Sequence, residues 1–361
     1  MTWILRFSGF FLLLITLLPL FPTGKWYVRW WDFPRLQIAI LLAIPLLVAS
    51  VQIFNSGLHW EKIAWACAVL AGIIWQISHV IEFSPVWPTE VATNSDGSPK
   101  IKLMVSNLDY ENFAPDNVSG ELDDEDADIL LLIEVNKAWS ERLQQLRAKY
   151  YHYEELRGEG LGMAVWSKIP IQSAETKHLI SDRRASLWVR LKIESDKIVN
   201  LVGVHPTPPG LSDSTGDTRR DSRVRDAELI LIAKEIAARS DEAWIVAGDF
   251  NDVAWSHTTR LFKRTSGLLD PRIGRGMYNT YMAQYPPFRC PIDHVFLSEG
   301  FTVGTLARKR VTGSDHFAVL TTLSLAALKG VTPQTQGNDK IDAETIIEEG
   351  KADADERDVR G

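Results

Sequence analysis

The sequence predicts an α/β sandwich of mixed β-sheets, preceded by an all-helical membrane segment. Three observations carry that prediction. Long apolar runs fill the first quarter of the 361 residues and then stop. From Ile101 onward, short apolar runs alternate with turns, in the manner of strands. Helical periodicity is confined to a few segments that do not alternate strictly with the strands, which argues against a simple doubly wound sheet.

The apolar runs are Trp3 to Phe21, Leu36 to Phe54 and Ile63 to Ile81. Each is close to the ~20 residues that cross a bilayer as a helix. Arg6 is the one charge in the first, and the other two carry none beyond the neutral, amphipathic His79. A signal peptide is the rival for the first run, but no small-x-small cleavage site follows it. Buried soluble helices are the rival for the other two, which lack the polar face such helices carry. The connection PTGKWYVRWWDFPR (22–35) interleaves Trp26, Tyr27, Trp30 and Trp31 with basic residues, as interfacial anchors do. It reads equally as a short amphipathic surface loop. Three spans put this loop and the C-terminal region on one side. Lys25, Arg29, Arg35, Lys100 and Lys102 lie there, against Arg6 and Lys62 on the other. By the positive-inside rule the expectation is an integral, multi-pass cell-membrane protein with a cytoplasmic C-terminal domain.

The expected organisation is a membrane domain at 1–83, a Pro/Ser/Asn/Gly-rich linker at 84–100, a catalytic-type domain at 101–327 and a disordered acidic tail at 328–361. Expected strands are 101–107, 127–135, 162–168, 186–193, 198–205, 243–250, 293–298 and 316–325. Helices are expected at 137–149 and 222–239. No internal repeat is present. The formal net charge of −7 gives no basic footprint for nucleic acid, although a few local arginines would suffice for a nuclease. The two cysteines, Cys67 and Cys290, have neither zinc-site nor disulfide-framework spacing.

The predicted strands end in polar residues of one chemical kind. They give Asn107, Glu134, His205 and, in the stretch IVAGDFND (245–252), Asp249 and Asn251. Asp293 and His294 open one strand, and Ser314, Asp315 and His316 open the last. Each has a bland reading. Asn107 suits a turn, Glu134 a solvated strand end, His205 a structural histidine, and Asp249 with Asn251 the cap of a helix near Val253. Together they are what a hard-metal phosphoryl-transfer site needs, because carboxylates hold Mg²⁺ and a histidine can donate to a phosphate oxygen. Asp249 and Asn251 are two residues apart, so an extended chain points both to one face and Asp252 away, as a cap or turn residue. Gly248 allows close backbone approach, and Phe250 packs behind.

AGDFN (247–251), IDHVFLS (292–298) and GSDHFAV (313–319), supported by VSN (105–107), LLLIEV (130–135), GMAVWSKIPI (162–171) and GVHPTPP (203–209), resemble the endonuclease/exonuclease/phosphatase superfamily in family order. The resemblance covers Ile101 to Leu325 and suggests a membrane-anchored, bacterial-type member. It implies a DNase I-like, four-layer α/β sandwich with two mixed sheets and a metal-dependent hydrolase. Mg²⁺ is the implied cofactor, with Mn²⁺ as a substitute. Glu134 would be the principal metal ligand, with Asn107 and Asp315 nearby. Asp249 would orient or deprotonate water, Asn251 would hold phosphate or metal, and Asp293 would keep His316 protonated toward the phosphate. His205 matches a second catalytic histidine of some members, whose supporting glutamate would be Glu154, Glu155 or Glu159.

Other positions keep two readings. In SDRRASLW (181–188), Arg184 is a candidate phosphate ligand, or Arg183 and Arg184 are a solvated charge pair in a loop. TRRDSRVRD (218–226) lines a groove or decorates a helix start. Asn279 and Arg289, in the segment with Tyr278, Thr280 and Tyr281, are candidate substrate contacts. The substrate is a phosphate ester on a lipid headgroup, a small phosphate or a nucleic acid; the sequence indicates no protein partner. The leading expectation is a membrane-anchored phosphoesterase acting on a phosphodiester or phosphomonoester. The alternatives are a DNA or RNA endonuclease/exonuclease and, from another class, a non-catalytic binding module that retains the fold.

Overall fold

A computed structural model describes residues 2–21, 23–94, 100–112, 117–193, 197–210, 221–325 and 332–356. Three helices, α1 (Thr2–Leu17), α3 (Arg35–Ser56) and α4 (Trp60–Val80), make the N-terminal bundle. All three are long and apolar enough to cross a membrane. They expose large apolar side chains such as Phe7, Ile40 and Ile74, as a lipid-facing surface does. Inside, Arg35, Gln76 and Thr16 form a hydrogen-bonded chain. The connection between α1 and α3 is not a free loop. It folds into the short helix α2 (Trp26–Arg29) and a 3-10 turn and packs on the C-terminal domain.

Eleven strands form two mixed sheets among the described residues. The first has the order β10-β11-β1-β2-β4-β3, from β1 (Ile101–Asn107), β2 (Ile129–Ile133), β3 (Tyr151–Glu155), β4 (Met163–Ser167), β10 (Phe301–Arg310) and β11 (Phe317–Leu325). The second has the order β5-β6-β7-β8-β9, from β5 (Ile171–Lys177), β6 (Ser186–Lys192), β7 (Ile198–Val204), β8 (Ala243–Asp249) and β9 (Asp293–Leu297). Leu103, Leu131, Leu201 and Ile245 fill the space between the sheets. The outer face of the first sheet, through Met104, Leu132 and Trp166, is covered by α5 (Val118–Asp123), α6 (Lys137–Arg142) and α7 (Gln144–Arg147). The outer face of the second, through Val202, Trp244 and Phe296, is covered by α8 (Arg223–Ala237), α9 (His257–Ser266) and α10 (Asp339–Glu356). These four layers are the expected sandwich. Burial on both faces explains why the interior strands read as continuous apolar runs.

Two expectations need correction. The polar segment after residue 328, expected to be a disordered tail, contains α10. Its Ala343, Ile347 and Ala354 recur at helical spacing and are buried. Arg264 holds Asp339 at 2.7 Å and Arg223 holds Asp353 at 2.9 Å. The acidic residues are therefore compatible with a docked helix: Asp339 and Asp353 are buried against arginines of the domain, while Glu344, Glu348 and Glu349 face outward. The linker is also docked where it is described: Val91 is buried, and Glu90 pairs with Lys263 at 2.8 Å and accepts the Asp270 N–H.

Candidate active site

Strand direction collects the candidate residues at one end of the sandwich. β1 and β2 are parallel, as are β7 and β8, so Asn107, Glu134, His205 and Asp249 lie at neighbouring C-terminal ends. β9 runs antiparallel to β8, and β11 to β1, so their first residues reach the same end. Asp293 is the direct cross-strand partner of Asp249. Two carboxylates opposite each other weaken a strand pair, so this pairing calls for a compensating group.

His316 is one such group. Its Nδ1 bonds Asp293 Oδ2 at 2.7 Å, and its Nε2 lies 3.8 Å from Asp249 Oδ2 and 3.7 Å from Asp315 Oδ1. Burial opposes charge on this ring, but Asp293 first, then Asp249 and Asp315, outweigh it and push the imidazole up to about 10. Burial, followed by the Asp293 charge, pushes the Asp249 carboxyl up to about 7. Burial also raises Glu134, against hydrogen bonds from Asn107 and the Tyr110 N–H. Asn107 Nδ2 sits between Glu134 at 3.2 Å and Asp249 at 3.4 Å. His205 Nε2 faces the same pair at 3.7 and 3.9 Å.

The backbone is strained around this cluster. Among the described residues, seven other than glycine have positive φ; Asp109, Glu134, Glu159, Asn251 and Met282 among them line one cavity of about 560 Å³. Gly248 lies at φ 143°, and a Cβ there would sit 2.0 Å from the Val204 carbonyl oxygen. The close approach of β8 to β7 therefore requires glycine. Asp249 and Asn251 do face the same cavity, but by a turn and not a straight strand. Asn251, at φ 51°, donates its N–H to Asp249 Oδ1 at 2.8 Å. Asp252 points away and is structural: it accepts from Arg225 at 2.9 Å, Arg29 at 3.3 Å and Ser256 at 2.7 Å. Phe250 packs behind against Phe262, His294 and Phe296.

The remaining candidates separate. Arg184 is buried, lines the cavity and donates to the His205 ring, 3.0 Å from Nδ1. Arg183 pairs with Glu159 at the surface. Glu154 is held by Arg147 and Trp166, and Glu155 by Arg157. Asn279 and Arg289 do not line the cavity. The Asn279 carbonyl accepts from Arg308, and Arg289 bonds Ala283 O and lies over Phe317. Of the basic stretch 218–226, positions 218–220 lie outside the described residues; Arg225 neither lines the cavity nor decorates the surface. It is buried and donates to Asn251 O at 2.6 Å, which fixes the turn carrying Asn251.

The donor set suits a hard divalent cation. Half-buried Glu134 and buried Asp249 are oxygen donors held side by side by Asn107, and burial raises both carboxyls, with the Asp293 charge adding to the rise at Asp249. Asp249, Asp293 and His316 also lie within 4.8 Å of one another. That triad is the poorer choice, because the His316 ring is committed to Asp293 and held protonated, and an imidazolium cannot ligate a metal.

Residues 104–316, more than half of the chain, match the model of the endonuclease/exonuclease/phosphatase family. The chain belongs to that family. It is therefore a hydrolase of phosphate esters, the chemistry shared by members of the endonuclease/exonuclease/phosphatase family. No curated relative matches it. Solved structures of similar fold include a humanized D. rerio TDP2 with 14 mutations, at TM-score 0.51 and 18% identity, covering 62% of this chain and 99% of that one. An endonuclease/exonuclease/phosphatase from Bacteroides vulgatus reaches TM-score 0.50 at 19% identity, covering 63% and 99%. A family protein from Bacteroides thetaiotaomicron reaches 0.50 at 16%, covering 63% and 98%. The likeness lies in the fold. The family match at 104–316 leaves out the membrane-type helices and the connection between α1 and α3, and that connection supplies the portion of the cavity wall that the sequence reading missed. Trp26, Trp30 and Phe33 line the cavity together with Gln37 of α3. Their aromatic pattern was legible, but not its place across from Glu134 and His316.

Proposed function

We propose that this protein is a membrane-anchored, Mg²⁺-dependent phosphoesterase that hydrolyses a phosphodiester or phosphomonoester by in-line attack of water. The observation that carries this reading is the convergence of Glu134, Asp249, His205 and His316 within 4 Å contacts in one cavity. Glu134 would hold the cation, with Asn107 and Asp315 as further donors and Mn²⁺ as a substitute. The cation would supply neutralisation of the charge that develops on the phosphoryl oxygens. Asp249, raised toward neutrality, is poised to take a proton from water and align it. Asn251 orients the phosphate. His316, kept charged by Asp293, donates to a phosphoryl oxygen, and His205, backed by Arg184, faces the same space.

A complete set of such groups favours an enzyme over a binding module that merely keeps the fold. The same reading places the protein in the cell membrane with its catalytic domain on the cytoplasmic side. Digestion of α10 by protease added outside intact cells would overturn that orientation. The activity is tested with the purified full chain and Mg²⁺ on bis(p-nitrophenyl) phosphate, plasmid DNA, sphingomyelin and inositol phosphates. Hydrolysis that vanishes in Asp249→Asn and His316→Ala supports the site; folded variants as active as the wild type refute it.

A further inference from the structure

The cavity does not end at the catalytic domain. From Asp249 and His316 it continues between two aromatic walls to the first turn of α3. One wall is Trp30 and Phe33 on the connection between α1 and α3. The other is Phe288, on a 3-10 turn at Pro286–Phe288. Gln37, in the first turn of α3, donates to Pro287 O at 2.8 Å and pins that second wall to the start of the helix. The rim is therefore set at the level where a spanning α3 enters the bilayer interface.

The walls are built to stay in place. Trp255 Nε1 donates to Asp32 O at 2.6 Å, Ser222 N–H to Gly24 O at 2.7 Å, and Arg29 to Asp252 at 3.3 Å. Apolar residues nonetheless remain open at the rim: Trp30 is 58% exposed, Tyr285 59% and Phe288 63%. Open aromatics at an interface suit contact with lipid. The cations lining the cavity are committed inward, Arg29 to Asp252 and Arg184 to His205. Among the described residues, no basic track for a polyanion runs along these walls.

Resting on the phosphoesterase reading, we propose that the substrate is a membrane amphiphile. Its phosphate ester enters the cavity from the bilayer surface while its apolar part stays against Trp30, Phe33 and Phe288. Water attacks phosphorus, the bond from phosphorus to the leaving oxygen breaks, and that oxygen takes up a proton. For a diester the products are an alcohol and a phosphate monoester, one of which remains in the membrane.

The test uses the full chain in detergent with Mg²⁺. Phosphatidylglycerol, phosphatidylethanolamine and phosphatidic acid in mixed micelles are compared with their headgroup phosphates lacking acyl chains, with bis(p-nitrophenyl) phosphate and with a single-stranded oligonucleotide. Remote apolar binding should raise kcat/KM for at least one lipid by about 100-fold over its chain-free counterpart. The double variant Trp30→Ala, Phe288→Ala should lower the ratio of lipid to bis(p-nitrophenyl) phosphate turnover by about tenfold or more. Both side chains are largely exposed, so the fold should survive. Hydrolysis of the soluble diester with no gain from acyl chains overturns the amphiphile while sparing the phosphoesterase; preference for the oligonucleotide does the same in favour of nucleic acid. Hydrolysis of none of them overturns the phosphoesterase itself.

Discussion

Two buried acidic clusters lie on either side of Asn251, and they are balanced differently. Behind it, Asp226 and Asp252 are matched by Arg225 and Arg29 at 2.7 to 3.3 Å. In front of it, Glu134, Asp249 and Asp293 converge, and their nearest cations are the His316 ring and Arg184 beyond His205. The rear cluster closes on itself and carries a turn. Among the described residues, the front cluster has no arginine in direct contact with its acids; burial raises Asp249 and Glu134 there, as it raises Asp252 in the rear cluster, and at Asp249 the Asp293 charge adds to it. Acids that come with arginines build structure, whereas acids short of them await a cation or a reacting group.

The sharpest break of this comparison is in the front cluster. Asp249→Asn and His316→Ala should each cost about 10³–10⁴-fold in kcat, roughly 4–5.5 kcal/mol. Thermal unfolding of Asp249→Asn should be unchanged or higher, since the substitution removes repulsion with Asp293. A large fall in Tm would make that carboxylate structural. The rear cluster should respond in the opposite way. Arg225→Met leaves Asp252 with less compensation and should destabilise by about 3–5 kcal/mol in denaturant titration. Activity should fall with it, because Asn251 loses the bond that fixes its carbonyl. A stable Arg225→Met with normal kcat would erase the distinction between the clusters.

Metal should also tell them apart. Mg²⁺ at about 100-fold over its Kd should stabilise the wild type by about 2.7 kcal/mol, read as a shift of the unfolding midpoint reversed by EDTA. Glu134→Gln should lose most of that shift, while Asp226→Asn keeps it. Equal shifts in all three would place the cation elsewhere.

Much of this was legible in the sequence, and the gaps have physical causes. The strands read from apolar runs are interior ones, covered on both faces, together with β9. The unread strands β3, β5 and β10 are all sheet edges. β5 exposes Gln172, Ser173 and Glu175, and β10 exposes Arg308 and Arg310, so neither shows a continuous run. Glu134, Asp249 and His316 were legible because polar residues at strand ends are conspicuous. Asn279 and Arg289 were inferred from nearness in sequence, which does not fix where a side chain points. Trp30 and Phe33 reach the cavity through contacts more than two hundred residues away in sequence, as from Asp32 to Trp255, and no local pattern announces those.

A third buried acid extends the comparison. Glu228, on α8, is fully enclosed, and neither carboxylate oxygen has a hydrogen-bond partner among the described residues. Burial pushes it up to about 8, opposed only in part by the Arg184 charge. The folded pKa thus lies above the unfolded value of 4.5. Below that value both states hold the proton and the stability linked to it is fully present. As pH rises toward 8 the unfolded chain releases the proton while the folded chain keeps it, so stability falls. The slope is at most about 1.4 kcal/mol per pH unit, or roughly 2 kcal/mol between pH 5 and pH 7. Glu228→Gln carries no such proton, so its unfolding free energy should decline less over that range and exceed the wild type's at pH 7. Parallel curves for the two proteins would mean that Glu228 is ionised in the fold and neutralised by Arg184, which would move it to the company of Asp226 and Asp252.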